Sequence, residues 1–166
     1  MMKIKIVTPN RNKHNFDYSG AFKIEADRLI RFYSKWELKP FITRIELDYS
    51  IEASEFQQSV IESEVDWLVI LCHGGPNWIF KSSFTPDIID YTVAAAKIIT
   101  VFACSSGKNE GGPCYLLSKS KNIEWVDSHS SAGHTTGNPN VVRWLSGGKR
   151  IDLRPLIQEK GLDNKW

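Results

Sequence analysis

Two stretches decide the fold: Trp67-Leu68-Val69-Ile70-Leu71-Cys72-His73-Gly74-Gly75 and Ile98-Ile99-Thr100-Val101-Phe102-Ala103-Cys104-Ser105-Ser106-Gly107. Each opens on a nearly unbroken apolar run of strand length and then switches to small and polar residues. A strand with one wet face alternates apolar and polar side chains. An unbroken run marks a strand covered on both faces, as in a parallel sheet.

Outward from these runs the chain alternates strands and helices. Lys3 to Pro9 reads as a first strand. Tyr18 to Leu38 reads as an amphipathic helix, with Phe22, Ala26, Leu29, Ile30, Tyr33 and Trp36 at helical spacing and Pro40 as its stop. Phe41 to Tyr49 reads as a half-exposed edge strand, and a short helix is expected between Ile51 and Ser63. Thr85-Pro86-Asp87 has the signature of a helix start, so a helix to about Ala96 is expected. A further short helix is expected around Pro113 to Ser120, and a fifth strand at Ile123 to Asp127. Ser128 to Asn140, rich in Ser, Gly, Thr and Asn, reads as a loop carrying His129 and His134. Val141 to Trp144 and Ile151 to Leu153 are each at most a short strand. This order implies a single α/β domain over residues 1–166: a three-layer sandwich with a mostly parallel central sheet of five to six strands, helices on both faces and flavodoxin-like strand order.

The bulk composition narrows the function classes. The 166 residues are 42% hydrophobic and 24% charged with a formal net charge of +2, so no basic footprint argues for nucleic acid. No apolar run approaches the roughly 20 residues of a membrane helix. Met1 to Val7 is too short and too alternating for a signal peptide. Cys72, Cys104 and Cys114 make an odd count without framework spacing, which favours free thiols in a reducing compartment. The expectation is a cytoplasmic protein, or one delivered into the cytosol of a host or target cell.

In open parallel sheets, reactive groups sit at the carboxyl ends of the strands. If the two apolar strands are neighbours, about 4.8 Å apart, His73 and Cys104 emerge side by side. An imidazole there can take a thiol proton and later protonate a leaving amine. The backbone N–H groups of Gly74 and Cys104 are the candidate oxyanion donors. Cys72 and Cys114 read as core residues. Ser105 and Ser106 lack a Gly-x-Ser-x-Gly elbow, and the loop Ser105 to Gly112 fits neither common nucleotide-binding fingerprint.

A hydrophobic strand ending in His-Gly, followed by one ending in Ala-Cys, resembles the caspase-like cysteine peptidases. That group includes caspases, metacaspases, legumains, gingipains, separases and the CHAT-domain proteases. The matching residues are Leu68 to Gly74 and Ile98 to Cys104, with His before Cys; papain-like and NlpC-type enzymes run the other way. The resemblance implies a thiol protease with a His73–Cys104 dyad, no cofactor and a protein or peptide as substrate. It also implies a substrate pocket built from the ends of the first and fifth strands, near Asn10, Arg11, Asp127 and His129. An acid at Asp127 could select a basic side chain, or simply cap a turn with Ser128. Two alternatives stay open. His129 or His134 could replace His73 as base, or join it or Cys104 around a metal, with a peptidoglycan amide as substrate. A non-catalytic flavodoxin-like binding module is the other.

Overall fold

The structure, a computed structural model, describes residues 1–10, 20–133 and 138–159. Nine strands are present among these residues: β1 (Lys3–Pro9), β2 (Phe41–Leu47), β3 (Trp67–Leu71), β4 (Gly74–Gly75), β5 (Trp78–Ile79), β6 (Ile98–Phe102), β7 (Trp125–His129), β8 (Val141–Leu145) and β9 (Lys149–Asp152). Four α-helices accompany them: α1 (Ala21–Tyr33), α2 (Ala53–Phe56), α3 (Pro113–Leu117) and α4 (Arg154–Glu159). The main sheet has seven strands in the order β2-β1-β3-β6-β7-β8-β9, and β4 and β5 form a separate ribbon. From β2 to β7 every pairing is parallel; β8 and β9 add antiparallel strands at one side. The α/β class and mostly parallel sheet agree with expectation, and the parallel strands follow the 2-1-3-4-5 order of a flavodoxin-like sheet. The sheet is wider than expected, because both short segments near residues 141 and 151 join it as strands, β8 pairing with β7 and β9 with β8.

The two-residue period of the strands sorts their side chains into two cores. Leu68, Ile70 and Cys72 of the β3 segment join Ile99, Val101 and Ala103 of the β6 segment, packed with Phe56, Phe80, Tyr91 and Cys114. Val69, Leu71 and Phe102 face the other way, onto Phe22, Ala26, Leu29 and Tyr33 of α1. Apolar side chains on both faces explain why these strands show no alternation.

Two helix expectations are corrected, and a third is met with a change of helix type. The first helix ends at Tyr33, short of Leu38, because Trp36 folds back onto Tyr33 and Trp67, with ring centroids 5.0 and 5.9 Å away. The short helix expected between Ile51 and Ser63 is present as α2, which continues as a π-helical turn over Gln57–Ile61. Lys5 reaches this turn, its Nζ donating to the Ser59 carbonyl at 2.5 Å and to Ser63 Oγ at 2.9 Å. No α-helix forms over residues 85–96. Instead the buried Tyr91 donates its hydroxyl to the Phe84 carbonyl at 2.5 Å, pulling the chain inward. Only a 3-10 turn, Tyr91–Val93, remains, capped by the Asp90 carboxylate on the Thr92 N–H at 3.0 Å. Burial of one large aromatic thus overrides a local helix start.

The loop after β6 is held tightly against the antiparallel side of the sheet. The Gly107 N–H donates to the His129 carbonyl at 2.9 Å, and Trp144 Nε1 donates to the Gly107 carbonyl at 3.0 Å. A Cβ at Gly107 would lie 2.7 Å from Val142 Cγ2 and 2.9 Å from Ser128 Cβ. Gly107→Ala is therefore expected to cost about 1–3 kcal/mol by overpacking. Thermal unfolding should show the melting temperature falling by roughly 2–4 °C per kcal/mol. An unchanged melting temperature would contradict this packing.

Candidate active site

β3 and β6 pair in parallel from Trp67–Ile98 to Leu71–Phe102. The Cys72 N–H donates to the Phe102 carbonyl at 3.2 Å, which carries the ladder past the strand ends. His73 and Cys104 follow immediately, at the same carboxyl edge. The two turns are in contact: a Cβ at Gly74 would stand 2.7 Å from Ala103 Cβ and 3.3 Å from the Cys104 carbonyl oxygen. Glycine at this position is what allows the backbone after His73 to lie against the backbone at Cys104. β1 sits between β2 and β3, so His73 also stands at the switch point of the sheet, where open α/β folds leave a crevice.

His73 is half-buried and fixed from two sides. Phe22, in the first turn of α1, meets its ring edge-on at 5.1 Å. The His73 carbonyl accepts from the Phe80 N–H at 2.9 Å, which closes the β4–β5 ribbon over it. Phe80 has φ 72°, a conformation costly for an aromatic residue, and Ser105, directly after Cys104, has φ 54°. Strained backbone therefore directly follows Cys104 and, at Phe80, is hydrogen-bonded to the His73 carbonyl, as is common where a fold over-determines a site. Beside His73 lies a cavity of about 270 Å³ lined by Tyr49, Gly74, Trp78, Phe80 and Lys81.

On the other side of Cys104 lies the turn after β7. The Ser105 N–H donates to the Ser131 carbonyl at 2.9 Å, and the Gly133 N–H donates to Cys104 Sγ at 3.3 Å. Ser106 is fully buried beneath this turn, where its hydroxyl donates to the Ala103 carbonyl at 3.0 Å and lies 2.5 Å from Ser128 Oγ. It is a structural group of the Cys104 loop. The three thiols, all free, differ sharply in setting. Burial pushes Cys72 up to about 12 and Cys114 up to about 11, so both are neutral thiols near pH 7. Cys104 is partly exposed.

The other expected site residues that the structure describes are Asn10, Asp127 and His129. Asn10 ties the ends of β1 and β2 together, its N–H on the Leu47 carbonyl at 2.8 Å and its Nδ2 on Asp48 at 3.3 Å. Arg11 and His134 lie outside the described residues. Asp127 is inside β7, so it caps no turn with Ser128. Its carboxylate takes a two-pronged ion pair from Arg143 on β8, at 2.7 and 2.9 Å, and so is already engaged within the chain. His129 is the last residue of β7 rather than a loop residue. It is 1% exposed, with its ring 5.8 Å from that of Phe102. Among the described residues no three His, Cys, Asp or Glu side chains cluster as metal ligands would, and no helix is long and apolar enough to cross a membrane.

Sequence reasoning missed three contributors: the β4–β5 ribbon, the cavity wall of Tyr49, Trp78 and Lys81, and the turn at Ser131 to Gly133. The apolar pair Trp78-Ile79, a few residues beyond Gly74-Gly75, is the one local hint of the ribbon. No family model matches the chain, and neither does any curated protein.

The contrast among the thiols has a direct readout. Iodoacetamide near neutral pH should modify Cys104 in the native protein and leave Cys72 and Cys114 untouched until unfolding, as peptide mass spectrometry would resolve. Equal, slow modification of all three would remove Cys104 from consideration as a nucleophile.

Proposed function

We propose that the chain is a cysteine hydrolase, a caspase-like endopeptidase in which Cys104 attacks an amide carbonyl and His73 moves the proton. The observation that supports this most directly is the register of β3 on β6, with Gly74 lying against Ala103 and Cys104. Two reactive side chains of complementary chemistry thereby leave adjacent strands at one edge. The partly exposed thiol and the cavity beside the imidazole fit the same reading.

In this mechanism His73 takes the Cys104 proton as sulfur attacks the carbonyl carbon. The C–S bond forms and the carbonyl π pair moves to oxygen, where the Gly74 and Cys104 N–H groups stabilise it. Collapse breaks the C–N bond, and His73 gives its proton to the departing amine. Water, deprotonated by His73, then hydrolyses the thioester and restores the thiol. The chain's own residues supply every proton transfer. A cytosolic setting is part of the proposal, since the nucleophile requires a reduced thiol.

Incubation with a mixture of blocked peptides covering all residues before the cut, read by mass spectrometry, tests the proposal. Cys104→Ala should abolish cleavage, and His73→Ala should lower it by roughly 10²–10⁴-fold, with the fold intact by circular dichroism. Turnover that persists in Cys104→Ala would end the reading. Cleavage of peptidoglycan fragments alone would keep the dyad and replace the substrate class.

A further inference from the structure

The peptide bond joining Ala132 to Gly133 has a specific relation to Cys104. Its N–H donates to Cys104 Sγ at 3.3 Å. Its carbonyl oxygen, at the opposite end of the same planar unit, accepts from Asn138 Nδ2 at 3.2 Å. In a trans peptide the N–H and C=O point in opposite directions, so gripping the oxygen aims the hydrogen. A hydrogen bond at the oxygen also polarises the amide and strengthens the donor at the other end. Gly133 has φ +104°, a backbone conformation that favours glycine at this turn.

Asn138 is well built for this grip. Its Nδ2 also donates to the Gly133 carbonyl at 2.9 Å, and its Oδ1 accepts the Asn140 N–H at 3.0 Å. Asn140 in turn donates to Ser131 Oγ at 2.9 Å and is itself held by Arg154 Nη1 at 2.9 Å. Ser131 closes the ring by accepting from the Ser105 N–H, beside the sulfur. A chain of polar contacts therefore runs from α4 to the residue next to the candidate nucleophile.

We propose that Asn138 is a positioning residue: through the Ala132–Gly133 peptide it holds an N–H donor on the Cys104 sulfur and so favours the thiolate. A hydrogen bond made to the charged form of a group stabilises that form. The inference takes its site from the proposed function but concerns only the reactivity of the Cys104 sulfur, whatever its substrate. Among the described residues, the titratable groups at the strand ends next to Cys104 are His73 after β3, the buried Cys72 thiol and the buried His129 at the end of β7. None of them is a partner in the hydrogen bonds of Asn138 to Ala132, Gly133 and Asn140, so the contribution of Asn138 is separable from theirs.

The test is the pH profile of Cys104 carboxamidomethylation by iodoacetamide in the full chain, followed by peptide mass spectrometry. Asn138→Ala should displace the profile toward higher pH, slowing modification about tenfold near neutrality, as loss of one hydrogen bond to a charged group implies. The high-pH plateau should not change, because there the thiolate forms without help. Asn138→Leu, of similar size and without a donor, should behave alike and serves if the Ala variant unfolds. An unmoved profile overturns the proposal, and so does a lowered plateau without displacement, which would mean altered access only. If Cys104→Ala still cleaved peptides while Asn138→Ala displaced the profile, the peptidase reading would fail and this inference would stand. An unmoved profile together with loss of cleavage in Cys104→Ala and His73→Ala would give the reverse.

Discussion

The parallel pairing of β3 with β6 is the constraint on which the candidate site depends. The pairing runs from Trp67–Ile98 to Leu71–Phe102 and places two strand ends level. A slip of one residue would turn every side chain of one strand to the opposite face. Leu68, Ile70 and Cys72 would then leave one core while Val69 and Leu71 left the other. Because both faces are buried, either exchange is costly, and the register is held by the whole interior rather than by any turn. His73 and Cys104 inherit their adjacency from that register.

The antiparallel side of the sheet supports the site from beneath. Trp144 of β8 and Arg150 of β9 each donate to a carbonyl of the loop after Cys104, at Gly107 and Lys108 respectively. Asp127 and Arg143 bind each other across β7 and β8, which fixes the register of that pair. A charge pair of this kind leaves little carboxylate to offer a ligand. The cavity beside His73 is lined instead by Tyr49, Trp78, Phe80 and Lys81. Strands that brace and loops that line are here different parts of the chain.

What was legible in the sequence follows the same division. The two unbroken apolar runs announced β3 and β6, and the residues after them announced the candidate pair. Long-range burial hid much of the rest. Thr85-Pro86-Asp87 begins a helix by every local rule, yet Tyr91 is drawn into the core and the helix does not form. Asp127 and His129 were legible as polar residues near a strand end. Only the pairing of β7 with β8 reveals that one is held by Arg143 and the other is buried. The Gly133 contact to sulfur was illegible because it joins residues 29 positions apart through a backbone group that has no residue type. Asn138, five residues beyond Gly133, reads locally as an ordinary loop asparagine.

Under the proposed reading, Cys104 lies between two unlike partners, and the difference has a physical consequence. An imidazolium stabilises a thiolate by charge, but only while it is protonated, and in a partly exposed site solvent weakens the attraction. Once His73 serves as base, its charge appears and disappears within each catalytic cycle. A backbone N–H carries no titratable proton, so its contribution persists through every step and across the pH range in which the fold survives. A nucleophile flanked by one titrating and one permanent donor can leave the imidazole neutral and ready as base while the sulfur retains some stabilisation. In that arrangement Asn138, through the Ala132–Gly133 peptide, adjusts how readily sulfur attacks, and His73 governs where the proton goes.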